Sequence, residues 1–182
     1  MSKALAMVEY LNVSTGITAA DSMVKTADVE LIEAHVVCPG KYIALIQGEL
    51  SAVTAAVENA KTMYGSKLVD SFVLGNPDES IFPAIYGSTE ITNPSALGVF
   101  ETYSAASIIV AADIASKTAE VQLVELRIAK GMCGKSYMLI TGEVSAVQAS
   151  IDTVRARLQD SGMYLDSSVI ANPDKETWQN IL

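Results

Sequence analysis

Residues 25–31 read KTADVEL, and residues 117–123 read KTAEVQL, 92 positions later. The match continues in both directions. GELSAV at 48–53 returns as GEVSAV at 142–147, 94 positions on, and LGNPD at 74–78 returns as IANPD at 170–174, 96 positions on. ALAMVE at 4–9 and ALGVFE at 96–101 open the two copies. Constant order with a slowly growing offset is the mark of one supersecondary unit duplicated, its copies differing by short loop insertions. One insertion falls between Leu31 and Gly40. The chain divides into a first module, 1–90, and a second, 91–182. They join through YGSTEITNPS at 86–95, where Gly87, Asn93 and Pro94 are turn formers.

Within the first copy the apolar periods predict β-α-β-β-α-β. Lys3 to Tyr10 alternates as a strand. Ser14 is placed to cap a helix through GITAADSMVKTA, with Ile17, Ala20 and Val24 on its inward face. Val29–Val37 and Tyr42–Gln47 form a hairpin around a turn at Cys38–Lys41. Ser51–Ser66 is helical with Val53, Val57 and Ala60 inward, and Leu68–Leu74 is the last strand. NPDESIFPAI adds a short helical tail with Pro77 near its start. This is an α+β, ferredoxin-like split βαβ plan with an appended helix, repeated in the second copy. Two such modules pack about a pseudo-twofold axis or as neighbours in a ring.

Half of the 182 residues are hydrophobic, yet aromatics are only 6%. With a mean hydropathy of +0.31, the core must be built from small side chains, each burying little area at roughly 25 cal/mol per Å². Such a chain is expected to complete its burial by self-association. A net charge of −9 disfavours a nucleic-acid partner. No apolar run approaches the roughly 18 residues that would span a bilayer. MSKALAMVEY keeps Glu9 in its apolar stretch and lacks the form of a signal peptide. Two cysteines make no disulfide framework, so a cytoplasmic location with reduced thiols is expected.

The candidate chemistry lies in HVVCPGK at 35–41, which places the Cys38 thiol on a Pro-Gly turn. One thiol is too few ligands for a metal, and a lone cysteine is commonly a small buried hydrophobe. The single histidine, His35, falls on the opposite strand face from Cys38 by alternation and reads as structural or surface. No nucleophile–histidine–acid grouping can be assembled around it. GMCGKS at 131–136 is too short for a phosphate-binding loop. Glu9 and Glu101 recur in both copies, which favours a repeated structural role over a catalytic pair; no enzyme activity is expected.

TAADSMVKTADVEL from Thr18 and GELSAV from Gly48, each present twice, resemble the repeat of bacterial microcompartment shell proteins. Two copies per chain are similar to the tandem-domain, trimer-forming members, and Cys-Pro-Gly-Lys to their T-type branch from propanediol-utilisation compartments. The resemblance implies a flat pseudo-hexagonal homotrimer, tiled with other microcompartment shell proteins around an enzyme cargo. It also implies a central pore lined by Cys38, Pro39, Gly40 and Lys41 from the first copy and by Gly131, Met132, Cys133, Gly134 and Lys135 from the second. Members with this turn imply a [4Fe-4S] cluster on the threefold axis, with Cys38 as the matching ligand. Symmetry would supply three thiolates, leaving the fourth iron open. Soft thiolates also suit zinc, and Cys133 reads as a bystander near the pore. Electron transfer or cluster transport to a luminal or cytosolic redox enzyme is the implied role. The alternatives are a cofactor-free tile with a small-metabolite pore and a ferredoxin-like small-ligand sensor. Lys25 and Lys117 are implied shell-edge contacts. The arginine that many relatives carry after the last strand is absent from Asn76-Pro77-Asp78 and Asn172-Pro173-Asp174, which weakens the expectation of strong tiling.

Overall fold

ALAMVEY forms a strand, β1 (Ala4–Tyr10), in which every residue is buried, so both of its faces must be covered. The computed structural model, which describes residues 4–92 and 94–182, shows what covers them. Expectations for Lys3 and Asn93 fall outside the described residues. In chain order, the first module contains β1, α1 (Val13–Thr26), β2 (Val29–Val37), β3 (Lys41–Gly48), α2 (Leu50–Tyr64), β4 (Leu68–Leu74) and α3 (Ile81–Ile85). The second contains β5 (Ala96–Thr102), α4 (Ala105–Thr118), β6 (Val121–Arg127), β7 (Ser136–Gly142), α5 (Val144–Leu158), β8 (Tyr164–Ile170) and α6 (Lys175–Ile181). The antiparallel sheets run β2-β3-β1-β4 and β6-β7-β5-β8. Their registers correspond: Ala4 faces Gly48 as Ala96 faces Gly142, and Glu9 faces Asp70 as Glu101 faces Asp166.

Alternation along β1 divides its side chains between two cores. Ala4, Ala6, Val8 and Tyr10 pack with Ala19 and Met23 of α1 and Val53 and Val57 of α2. Leu5 and Met7 join Ile43, Leu45 and Phe72 in a core that also contains Ile108, Ile109 and Ala112 of α4. The outer face of the first sheet is therefore the seat of the second module's first helix. The two repeats pack sheet on helix, as neighbours, through a continuous apolar core.

Several local expectations are corrected. Asn12 occupies the α1 cap position without a side-chain hydrogen bond, and Ser14 lies inside the first turn. At the equivalent place in α4, Ser104 does cap, accepting from the Ser107 amide. Ala20 is buried, but Ile17 and Val24 face outward. The reason is the close approach of α1 to β3: a Cβ on Gly16 would lie 2.4 Å from Tyr42 Cβ. That contact turns Gly16, Ala19, Ala20 and Met23 inward. The tail helix starts at Ile81, four residues beyond Pro77, because the Asp78 amide is held by Asp113 Oδ1 at 2.9 Å.

Replacing a helical glycine with alanine ordinarily stabilises by about 1 kcal/mol. Gly16→Ala is expected to destabilise instead, by roughly 1–3 kcal/mol, since Tyr42 Cβ is anchored in a strand and cannot yield. Urea unfolding measures the sign, and a gain would refute the close packing.

Candidate functional site

The β2–β3 turn and the longer β6–β7 turn lie side by side. The Cys38 amide donates to Ala129 O at 3.1 Å, joining the first turn to the second. The first turn closes by Gly40 N to Val37 O, 2.9 Å, and the second by Lys135 N to Met132 O, 3.1 Å. Gly40 and Gly134 have φ of +108° and +85°, where glycine carries no steric penalty. Gly134 is needed twice over, because a Cβ there would lie 3.2 Å from Cys38 O and 3.1 Å from Lys41 Nζ. The second turn holds two non-glycine residues at positive φ, Ala129 and Cys133. Ala129 is fixed there by Ser136 Oγ, which accepts its amide at 3.0 Å.

Sequence reasoning paired these turns, and the structure brings them together. Cys38 is half-buried and Cys133 exposed. Pro39, Gly40, Gly131 and Lys135 are exposed, Met132 is half-buried and Gly134 is buried. A cavity of about 380 Å³ opens beside Val36, Cys38, Pro39 and Lys130. Among the described residues no group of three or more His, Cys, Asp or Glu side chains is arranged to hold a metal ion. Neither cysteine belongs to such a group among those residues.

Lys41 departs from its expected place on the turn. Its ammonium is withdrawn to Glu9 Oε1, 2.8 Å away, and also donates to Tyr103 O and Gly134 O at 3.2 and 3.4 Å. Glu9 is fully buried, and its other oxygen accepts the Ala105 and Ala106 amides at 2.8 and 3.4 Å. Those amides begin α4, where unsatisfied N–H groups and the helix dipole favour an anion. Asp70 adds a second carboxylate there, accepting from the Ser104 and Ser107 hydroxyls at 2.5 and 2.6 Å. A signal for this junction was visible in Glu9, a carboxylate inside an apolar strand. Glu101, expected to share its role, has no such partners among the described residues. The repeat is equal in sequence but not in environment.

Lys117, expected at the shell edge, bonds Asp113 at 2.6 Å and Asn76 O at 2.5 Å, tying α4 to the end of the first module while its side chain stays half-exposed. Its counterpart Lys25 pairs with Asp21, at 2.6 Å on the surface. His35 Nδ1 lies 3.3 Å from Glu33 Oε2. Burial lowers its pKa, opposed by Glu33 and assisted by Lys130.

These modules, with their order, registers and paired turns, define a chain of duplicated shell-type domains. The BMC domain model matches residues 4–77 and 96–173, so this chain belongs to the BMC-domain family of bacterial microcompartment shell proteins. It is 35% identical over 182 residues, all of this chain and 99% of the relative, to the microcompartment shell protein PduT of Citrobacter freundii. It is 32% identical over 107 residues to the carboxysome shell protein CcmK1 of Synechocystis, covering 52% of this chain and 96% of that one. A solved microcompartment protein from Desulfitobacterium hafniense superposes with a TM-score of 0.85 at 42% identity, covering 98% of this chain and 99% of its own. The fused permuted hexameric shell protein MSM0275 shares the fold, with a TM-score of 0.65 at 20% identity over 88% of this chain and 83% of that one. The role is that of a structural shell subunit. Among the described residues no helix is long and apolar enough to cross a membrane.

Proposed function

We propose that this shell subunit is a homotrimer whose three Cys38 turns meet at the axis, where their thiolates hold one [4Fe-4S] cluster. The observation that carries the reading is the position of Cys38: on the tip of a hairpin, half-buried, with its backbone fastened to the neighbouring module by Ala129 O. One chain offers too few ligands, and threefold repetition of this thiolate matches three of the four irons of a cubane cluster. When bound, the cluster would supply one-electron redox chemistry. The chain's own residues hold the sulfur in place: Gly40 turns the backbone, and the Gly134 loop packs against the Cys38 carbonyl. Withdrawal of Lys41 to Glu9 keeps a mobile cation off the turn. The role that follows is electron transfer, or cluster transport, across a shell tiled with other microcompartment shell proteins, toward a redox enzyme on one side.

A second reading is a cofactor-free tile whose pore passes small metabolites. It is favoured by the exposed Lys135 and Cys133, which can line an aqueous opening without coordinating anything. Anaerobic reconstitution of the wild type and Cys38→Ser, with iron counted per trimer, separates the two. Iron in the wild type and its loss from an intact trimeric variant supports the cluster. Equal iron in both, or none in either, supports the plain pore.

A further inference from the structure

One pair of repeated positions keeps its carboxylate and changes the kind of cation beside it. Glu33 and His35 face Leu45 and Ile43 on β3 as Glu125 and Arg127 face Leu139 and Tyr137 on β7. In the second copy the cation is permanent, with Arg127 Nη2 2.7 Å from Glu125 Oε1. In the first copy it is the chain's one histidine, which is charged only after taking a proton. His35 is also more enclosed, its side chain 31% exposed against 48% for Arg127, and that of Glu33 is 13% exposed. His35 Nδ1 lies 3.3 Å from Glu33 Oε2, yet this oxygen and the far ring nitrogen, Nε2, are both buried without a hydrogen-bond partner among the described residues. An imidazolium donates from both nitrogens, and Nε2 has no acceptor waiting for it.

The charged groups acting on the ring are Glu33 on its own strand and Lys130 on the β6–β7 turn. Ile43, opposite on β3, carries no charge, and the Tyr86 phenol at the end of α3 faces Glu33. Lys130 follows Ala129, whose carbonyl takes the Cys38 amide at 3.1 Å. It also borders the cavity of about 380 Å³ beside Val36, Cys38 and Pro39, so the junction of the two turns has room to open on this side. We infer that His35 is a proton-operated latch on the paired turns. Neutral, it lets Lys130 and Ala129 close on the Cys38 turn; protonated, it is drawn to Glu33, repels Lys130 and weakens the bond between Cys38 and Ala129. Burial lowers the His35 pKa from its ordinary value of 6.5, Glu33 opposes the change and Lys130 assists it. The closed junction is therefore fully stable above pH 6.5 and loses stability as the pH falls from there toward the lowered value. All these groups lie in one chain, so the inference depends on neither the cluster nor the trimer.

With one histidine in the chain, its ring resonance titrates alone in NMR, and hydrogen exchange at the Cys38 amide reports the junction in the same samples. Both are followed in the wild type, His35→Gln and Lys130→Gln between about pH 8 and about pH 5, with protection taken relative to the intrinsic exchange rate at each pH. The expected wild-type result is a midpoint below 6.5 and a Cys38 protection that falls on acidification, by about tenfold for each unit the midpoint is displaced. His35→Gln should hold its protection constant, and Lys130→Gln should raise the midpoint and shrink the loss. A midpoint at or above 6.5 overturns the latch, as does a wild-type Cys38 amide whose protection ignores pH. The same acid loss in the wild type and His35→Gln also overturns it. Lys130 is exposed, so its variant keeps the fold and decides alone if His35→Gln does not fold. A raised midpoint with a smaller loss then supports the latch, and no change in either overturns it.

Discussion

Glu9→Ala is expected to cost about 3–5 kcal/mol, the usual penalty for breaking one partner out of a buried ion pair. The substitution leaves the Lys41 ammonium, whose side chain is only 14% exposed, without its counter-ion. It also strips the acceptor from the first amides of α4. At roughly 2–4 °C per kcal/mol for a chain of this size, the melting temperature should fall by about 10 °C. The double variant Glu9→Leu/Lys41→Met should recover much of the loss, because an apolar pair of similar volume strands no charge. Thermal unfolding of the three proteins measures this. A Glu9→Ala protein as stable as the wild type would mean that the carboxylate does not hold the modules together.

Ile109→Ala should cost about 2–5 kcal/mol through lost burial and a residual cavity in the core shared by both modules. Ile17→Ala, the same change at the repeated position, should cost under about 1 kcal/mol in the isolated chain, because an exposed side chain has little burial to lose. Urea midpoints at concentrations where the chain is monomeric provide the comparison. Equal losses at the two sites would contradict the asymmetric packing of α1 and α4.

The contrast between these two isoleucines shows which features the sequence made legible. The duplicated KTADVEL and KTAEVQL, with hairpins beside them, were enough to place the strands, because strand alternation and helix spacing are short-range signals. β2 at Val29–Val37 and β4 at Leu68–Leu74 occur at the expected residues. The α1 face was misread because apolar spacing reports that a stripe will be buried, not which element will bury it. Ile17 and Val24 belong to that stripe, yet Gly16 against Tyr42 turns them outward within the chain. The repeat paired the turns bearing Cys38 and Cys133 and the family resemblance implied that they converge, while the retreat of Lys41 to Glu9 depended on a carboxylate 32 residues away in sequence.

Residue order alone established the duplication, the α+β architecture of each copy and the hairpin that carries Cys38, since all three are written in local periodicity and turn chemistry. Tertiary structure alone decided that identical motifs have different fates. Glu9 is sealed by α4 and Glu101 is left open, because burial belongs to the surface that arrives from elsewhere in the chain and not to the residue itself.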